Sequence, residues 1–227
     1  MIELAGVTHR YGERTVLRDV NLTLGERRVA VIGANGSGKS TLARTLNGLV
    51  VPTQGSVLVN GLDTRSQGAA VRRSVGFVFT DPDAQIVMPT VGEDVAFSLR
   101  RRGMRRNERD ERVAQVLARF GLAGYADHPA HLLSGGQKQL LALASVVVTE
   151  PSVLVCDEPT TLLDLRNSAR VAQLLRALPQ QVVMVTHDLD LVRDYDRVVV
   201  VEQGQVAYDG APGDAVRAYR ELVARSA

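Results

Sequence analysis

The stretch RRVAVIGANGSGKSTL, residues 27–42, decides how the rest of the chain is read. An apolar run, VAVIG, leads into a glycine-rich turn, and the turn opens onto the helix-forming STLARTLNGL. From Gly33 to Ser40 the spacing is G-x-x-x-x-G-K-[ST]. Glycines let a backbone turn its N–H groups inward around phosphate oxygens, and the helix that follows adds its positive end. Gly33, Ala34, Asn35, Gly36, Ser37, Gly38, Lys39, Ser40 and Thr41 are therefore candidate phosphate-binding residues. Lys39 is expected to reach the β- and γ-phosphates, and Ser40 to offer its hydroxyl to Mg²⁺. Of 27 basic side chains only two are lysine, Lys39 and Lys138. In so arginine-biased a chain, Lys39 marks a place that needs a compact ammonium rather than a wide guanidinium fork.

Outward from this turn, short β-like runs come first: IELAGVT, VNLTL, RRVAVIG, SVLVNG and SVGFVF. A helical middle follows. Val113, Val116, Leu117 and Phe120 lie on one face of a helix starting near Glu108, and a second helix runs over 134–149 up to Pro151. Strands and helices then alternate: SVLVCD, a helix over 165–178, QVVMVTH, a short helix, RVVVVEQGQVAYDG, and a last helix after Pro212. Apolar strands alternating with helices imply a mostly parallel sheet buried on both faces. The expected fold class is α/β: a P-loop NTPase core with an antiparallel β subdomain and a helical subdomain insertion. The whole chain, 1–227, reads as one domain, with a core over about 1–84 and 151–227 and a helical subdomain over about 85–150.

Bulk composition narrows the classes. A hydrophobic content of 45% and a charged content of 23% are those of a globular protein that buries a core. A net charge of +2 argues against a dedicated nucleic-acid binder. The longest apolar run, LLALASVVV at 140–148, falls short of the roughly 18 residues that span a bilayer. The N-terminal MIELAGVTHR lacks the apolar stretch of a signal peptide. The single cysteine, Cys156, sits in an apolar strand and reads as a buried structural thiol. These features suit the cytoplasm.

Two further stretches carry chemistry. VLVCDEP ends an apolar strand with Asp157 and Glu158, and ligands of open α/β sheets bind beyond the carboxyl ends of strands. Asp157 is expected to hold Mg²⁺, and Glu158 to polarise an attacking water. LLSGGQKQ, residues 132–139, starts a helix with Ser134 as N-cap and bare amides at Gly135 and Gly136, a second candidate anion cradle with Lys138 close by.

The P-loop, LSGGQ, VLVCDEP and VTHD, in this order, resemble the ATP-binding cassette ATPases over nearly the whole chain. The resemblance implies ATP and Mg²⁺ as ligands and ATP hydrolysis as the activity. It implies a dimer in which each ATP lies between residues 33–41 of one subunit and Ser134, Gly135, Gly136 and Gln137 of the other. Tyr11 matches the aromatic that stacks on adenine, His187 the histidine that contacts the γ-phosphate, and Asp164 the aspartate that reaches across the dimer. Lys39, Glu158 and His187 are the implied catalytic residues; Ser40, Asp157 and Thr80 are the implied metal ligands.

Two positions depart from the family pattern. Thr80, in GFVFTDPDAQ, stands where glutamine is usual, and hydrolysis is expected to be slower than glutamine would give; Gln85 is a partial substitute. TTLLD replaces the commoner SGLD, so Leu162 stands where glycine is frequent and that position is not expected to need a positive φ. The run DPDAQIVMPTVGEDVAFSL looks like the ATPases of energy-coupling factor importers, which take up vitamins and transition-metal ions. Here helix core is the plain reading of Val91, Val95 and Phe97 and is expected to hold for two of the three, while Glu93 and Asp94 read as acids facing an arginine-rich coupling helix. The short chain and EPTTLLDLRN resemble biotin-uptake ATPases most, with cobalt or nickel uptake next. The implied partners are a second cassette subunit, identical or paralogous, a transmembrane coupling subunit and a substrate-binding membrane subunit, at the cytoplasmic face of the membrane. The alternatives are a cassette ATPase of another transporter, or a soluble one acting on nucleic acid or on assembly of complexes. The arginine run LRRRGMRRNERDER reads as a solvated helical face or as a surface against anionic lipid.

Overall fold

The computed structural model describes residues 1–100 and 102–226. Two sheets organise them. β1 (Ile2–Tyr11) and β2 (Arg14–Leu24) form a long antiparallel hairpin. β3 (Arg28–Ile32) follows, then the P-loop and α1 (Lys39–Thr45). β4 (Gln54–Val59) and β5 (Leu62–Asp63) complete a four-stranded sheet of order β2-β1-β4-β5.

After α2 (Gly68–Ser74), which the sequence reading did not anticipate, comes β6 (Val75–Val78). Three helices then lie together: α3 (Val91–Phe97), α4 (Arg106–Arg119) and α5 (Gly135–Val147). The chain returns through β7 (Val153–Asp157), α6 (Leu165–Ala177), β8 (Gln181–Val185), β9 (Arg197–Glu202), β10 (Gln205–Gly210) and α7 (Pro212–Ser226). The second sheet has six strands in the order β10-β9-β3-β8-β7-β6. Its pairs are parallel except β9 with β10, so the expected mostly parallel α/β core with an antiparallel sheet is what forms.

Every residue of β3 and β7 is buried, which is why these strands read as continuous apolar runs rather than as alternation. One apolar core lies under the three-helix layer and holds Phe120, Leu141, Leu143 and Leu154. The other fills the space between the two sheets and α1, with Ile2, Leu17, Leu24 and Leu46. Cys156 is fully buried, and burial pushes its thiol well above the ordinary range, so it stays protonated and inert.

The short helix expected after His187 does not form. Residues 189–194 are bends and turns, because Asp188 N–H bonds back to Thr186 Oγ1 and Asp190 N–H to Asp188 Oδ1, so local polar side chains outcompete a helix. The run RVVVVEQGQVAYDG folds as a two-strand hairpin. Its turn, Gln203–Gly204, has φ of 49° and 82°, the two left-handed residues that a tight hairpin requires.

One stripe of α5 organises the segment between β6 and α3. Lys138 pairs with both oxygens of Asp83 at 2.7 and 3.0 Å. The carbonyl of Ala142 accepts from Gln85 Nε2, and Ser145 Oγ donates to Asp94 Oδ2. Positions 138, 142 and 145 share a helix face. The other oxygen of Asp94 accepts from Val87 N and Met88 N. Asp94 is 3% exposed, so it does not face a partner as the sequence reading expected, and Glu93 is tied into the capping box of α3 with Thr90. Val91 and Val95 are core, as expected, whereas Phe97 is partly exposed beneath the Arg100 guanidinium.

Part of the arginine run has a structural use. Arg102 donates to Thr149 O and Arg112 to Val148 O, capping the negative end of α5. Arg101 lies outside the described residues. No helix among the described residues is long and apolar enough to cross a membrane.

Asp94→Ala leaves two amides and one hydroxyl without their acceptor, and is expected to cost about 2–4 kcal/mol. Urea unfolding measures this; Asp94→Asn, which keeps one acceptor, should lose less.

Candidate nucleotide site

The order β3-β8-β7-β6 sets four chain segments side by side at one edge of the sheet. The P-loop leaves the carboxyl end of β3, His187 follows β8, Asp157 ends β7, and Thr80 follows β6. Neighbouring strands lie only about 4.8 Å apart, so side chains distant in sequence are forced into one cleft. That cleft, of about 410 Å³, is lined among others by Tyr11, Lys39, Ser40, Glu158, Thr161 and His187.

Gly33 enters the P-loop with φ of 149°, and a Cβ there would lie 2.1 Å from the carbonyl oxygen of Val201. No other residue fits, because both the conformation and the space exclude a side chain. Lys39 folds back onto its own loop, donating to Gly33 O at 2.8 Å and Ala34 O at 2.9 Å. Burial lowers its pKa, opposed by the charges of Glu158 and Asp157. A desolvated ammonium held by two carbonyls can exchange them for phosphate oxygens. Ser40 Oγ donates to Asp157 Oδ1 at 2.8 Å. Asp157 is 1% exposed, and burial raises its pKa, opposed by the Ser40 hydrogen bond and by Arg44, whose guanidinium lies 3.7 Å away.

Glu158 sits in the left-handed region at φ 54°, while its N–H bonds Val185 O. A non-glycine residue held there is strained, and such strain gathers at sites. Its Oε2 accepts from Thr161 Oγ1 and from His187 Nδ1, each at 2.8 Å. A carboxylate can only accept, so His187 Nδ1 carries the proton of this bond. Thr80 Oγ1 donates to Asp157 O at 2.9 Å, which brings Thr80 to the buried carboxylate's strand end.

Gln85 is not free to substitute: its Oε1 accepts from Phe79 N while its amide nitrogen donates to Ala142 O. Tyr11, 51% exposed, stands at the tip of the β1–β2 hairpin, edge-on to His9 at 4.6 Å between ring centroids.

Ser134 caps α5 through a capping box with Gln137, leaving the Gly135 and Gly136 amides at the helix start. Lys138 is spent on Asp83 and is not the free cation that the sequence reading placed beside this cradle. Residues 134–137 do not line the cleft among the described residues. Asp164 caps α6, bonding the N–H and side-chain amide of Asn167. Leu162 does not have a positive φ, as the substitution for glycine implied.

Sequence reasoning missed Arg44, Thr161 and Gly204. Gly204 N–H donates to Ser37 O and its carbonyl accepts from Arg18 N, pinning the P-loop and β2 to the hairpin turn. Arg44 carries no motif of its own, Thr161 stood within TTLLD without being singled out, and Gly204 looked like an ordinary turn glycine.

Residues 17–161 match the family model described as ABC transporter. The chain belongs to the ATP-binding cassette family of transporter ATPases. It is 57% identical over 221 residues to an ABC transporter ATP-binding protein of Deinococcus radiodurans, covering 97% of this chain and 98% of that one. It is 46% identical over 222 residues to the biotin transport ATP-binding protein BioM of Rhizobium etli, covering 98% of each.

Among solved structures, cbiO1 of Clostridium perfringens, part of the ABC transporter complex cbiONQ, superposes with a TM-score of 0.86 at 33% identity, over 99% of this chain and 93% of that one. The cassette MJ0796, solved as a dimer in a post-hydrolysis state with ADP and Pi, does so at 0.83 and 31% identity, over 93% and 99%.

Gly204→Ala would put a Cβ 2.4 Å from Val16 O at a φ of 82°. It is expected to cost about 1–3 kcal/mol and to weaken nucleotide binding together. Thermal melts with and without ATP read both.

Proposed function

We propose that this chain is the ATP-hydrolysing subunit of an energy-coupling factor importer, taking up a vitamin, with biotin favoured, or a transition-metal ion. It works at the cytoplasmic face of the membrane with a transmembrane coupling subunit and a substrate-binding membrane subunit. The 46% identity to a biotin transport ATPase and the likeness to a cassette from the cbiONQ complex support this assignment.

The observation that carries the mechanism is the division of anion-binding groups between two surfaces. The cleft holds the P-loop, Glu158 and His187 but no residue of 134–137. A second copy, or a paralogue, turned head to tail supplies Ser134 to Gln137 and Asp164, completing the cradle around the γ-phosphate. The dimeric state of MJ0796 supports such an arrangement. Tyr11 stacks on the base and residues 33–41 hold the phosphates.

Mg²⁺ fits the oxygen donors present, the Ser40 hydroxyl and the buried Asp157 carboxylate, with Thr80 beside them. Bound there, it would neutralise charge on the phosphates. Glu158 takes a proton from the attacking water as that water's oxygen bonds to the γ-phosphorus. The bond from this phosphorus to the bridging oxygen breaks, and ADP leaves with the electron pair. His187 donates to the Glu158 carboxylate or, with ATP bound, to the γ-phosphate.

Glu158→Gln is expected to lower turnover at least 100-fold and to trap an ATP-bound dimer, read by size-exclusion chromatography. A variant that neither binds ATP nor pairs would overturn the reading. Thr80→Gln, carried by the membrane-bound assembly, is expected to raise turnover severalfold; an unchanged rate would remove any role for the threonine in setting it. Purification from membranes should bring down integral membrane subunits and, on them, the imported small molecule.

A further inference from the structure

We propose that Thr161 is a positioning residue for the general base, fixing the carboxylate of Glu158 so that one oxygen alone is presented to the attacking water. The inference rests on the assignment of Glu158 as that base and adds a residue to it.

The local chain builds this contact from a short turn. Glu158 leaves β7 in the left-handed region at φ 54°. Pro159 follows and fixes its own φ, so the chain reverses at once. Thr161 N–H closes the turn on Glu158 O at 3.3 Å, and Thr161 Oγ1 folds back to donate to Glu158 Oε2 at 2.8 Å. The turn is anchored from below, since the buried Thr160 lends its carbonyl to Leu163 N at 3.0 Å. Thr161 itself is exposed and lines the nucleotide cleft. Among the described residues its hydroxyl has one hydrogen bond, the one to Glu158. Its contribution is therefore not to packing.

The second donor to the same oxygen is His187 Nδ1, also at 2.8 Å. Two donors arrive from different strand ends: Thr161 from the turn after β7 and His187 from the end of β8. Together they saturate Oε2 and stop rotation of the carboxylate plane. Oε1 has no hydrogen-bond partner among the described residues, which leaves it free to take the proton of the water. His187 is 54% exposed at its side chain, and a neutral imidazole has a single N–H to give, so the bond it donates to Glu158 competes with one to a phosphate oxygen. Thr161 has no such second duty. It holds the base when the histidine is engaged elsewhere. Threonine suits the place better than serine, because branching at Cβ limits χ1 and keeps the hydroxyl aimed.

The test uses the purified full chain, with MgATP as the probe and phosphate release as the signal. Thr161→Val keeps the shape and removes the donor; kcat is expected to fall about tenfold, the order of one hydrogen bond to a charged group, with KM for ATP within about twofold. Thr161→Ser restores the donor and should return kcat to within about threefold of the original. In a Glu158→Gln background, Thr161→Val should change nothing further, since the two side chains act as one unit.

A Thr161→Val protein with unaltered kcat overturns the proposal. So does one whose KM rises with kcat intact, which would make Thr161 a nucleotide contact. A Thr161→Ser variant as slow as the valine form, or an added loss in the Glu158→Gln background, overturns it as well. Failure of the base assignment looks different: Glu158→Gln alone would then turn over normally.

Discussion

Four parallel strand ends, those of β3, β8, β7 and β6, finish on one side of a single sheet, and the candidate site hangs from them. Both faces of that sheet are buried, so neither register nor strand order can shift without exposing apolar side chains. The chemistry inherits this rigidity. Lys39, Ser40, Asp157, Glu158 and His187 lie far apart in sequence yet are set by ladder hydrogen bonds between adjacent strands. Apolar burial supplies the free energy, and polar groups at the strand ends take the geometry it imposes.

Burial also explains the electrostatics of the cleft. Asp157 lies at the end of a wholly apolar strand, where desolvation disfavours its charge. Ser40 and Arg44 offset part of that penalty. Lys39 meets the opposite problem and is held by two carbonyls of its own loop. Both groups are more costly to keep charged here than in water.

The second cradle has a different foundation. α5 is fixed along one stripe to the segment that leaves β6, through Lys138, Ala142 and Ser145, and its far end is capped by Arg102 and Arg112. The helix start at Ser134 and the segment bearing Thr80 are thus parts of one braced body. Lys138, the other lysine in an arginine-rich chain, belongs to this brace and not to a phosphate site.

The α/β class, the P-loop, the buried acid at the end of β7 and the histidine after β8 were legible in the sequence. Each rests on local signals: apolar runs of strand length, glycine spacing, and a charge that interrupts burial. What escaped was non-local or set by competition. The turns after His187 replaced a helix because Thr186 and Asp188 satisfy nearby amides. Asp94 looked like a surface acid until Val87, Met88 and Ser145 closed on it. Sequence by itself determined which residue types can hold a phosphate or accept a proton, since that is a property of the side chain and its immediate backbone. Only the tertiary structure decided which of them meet. The contacts of Thr161, His187 and Glu158 depend on strand order and on a left-handed residue that no spacing rule encodes.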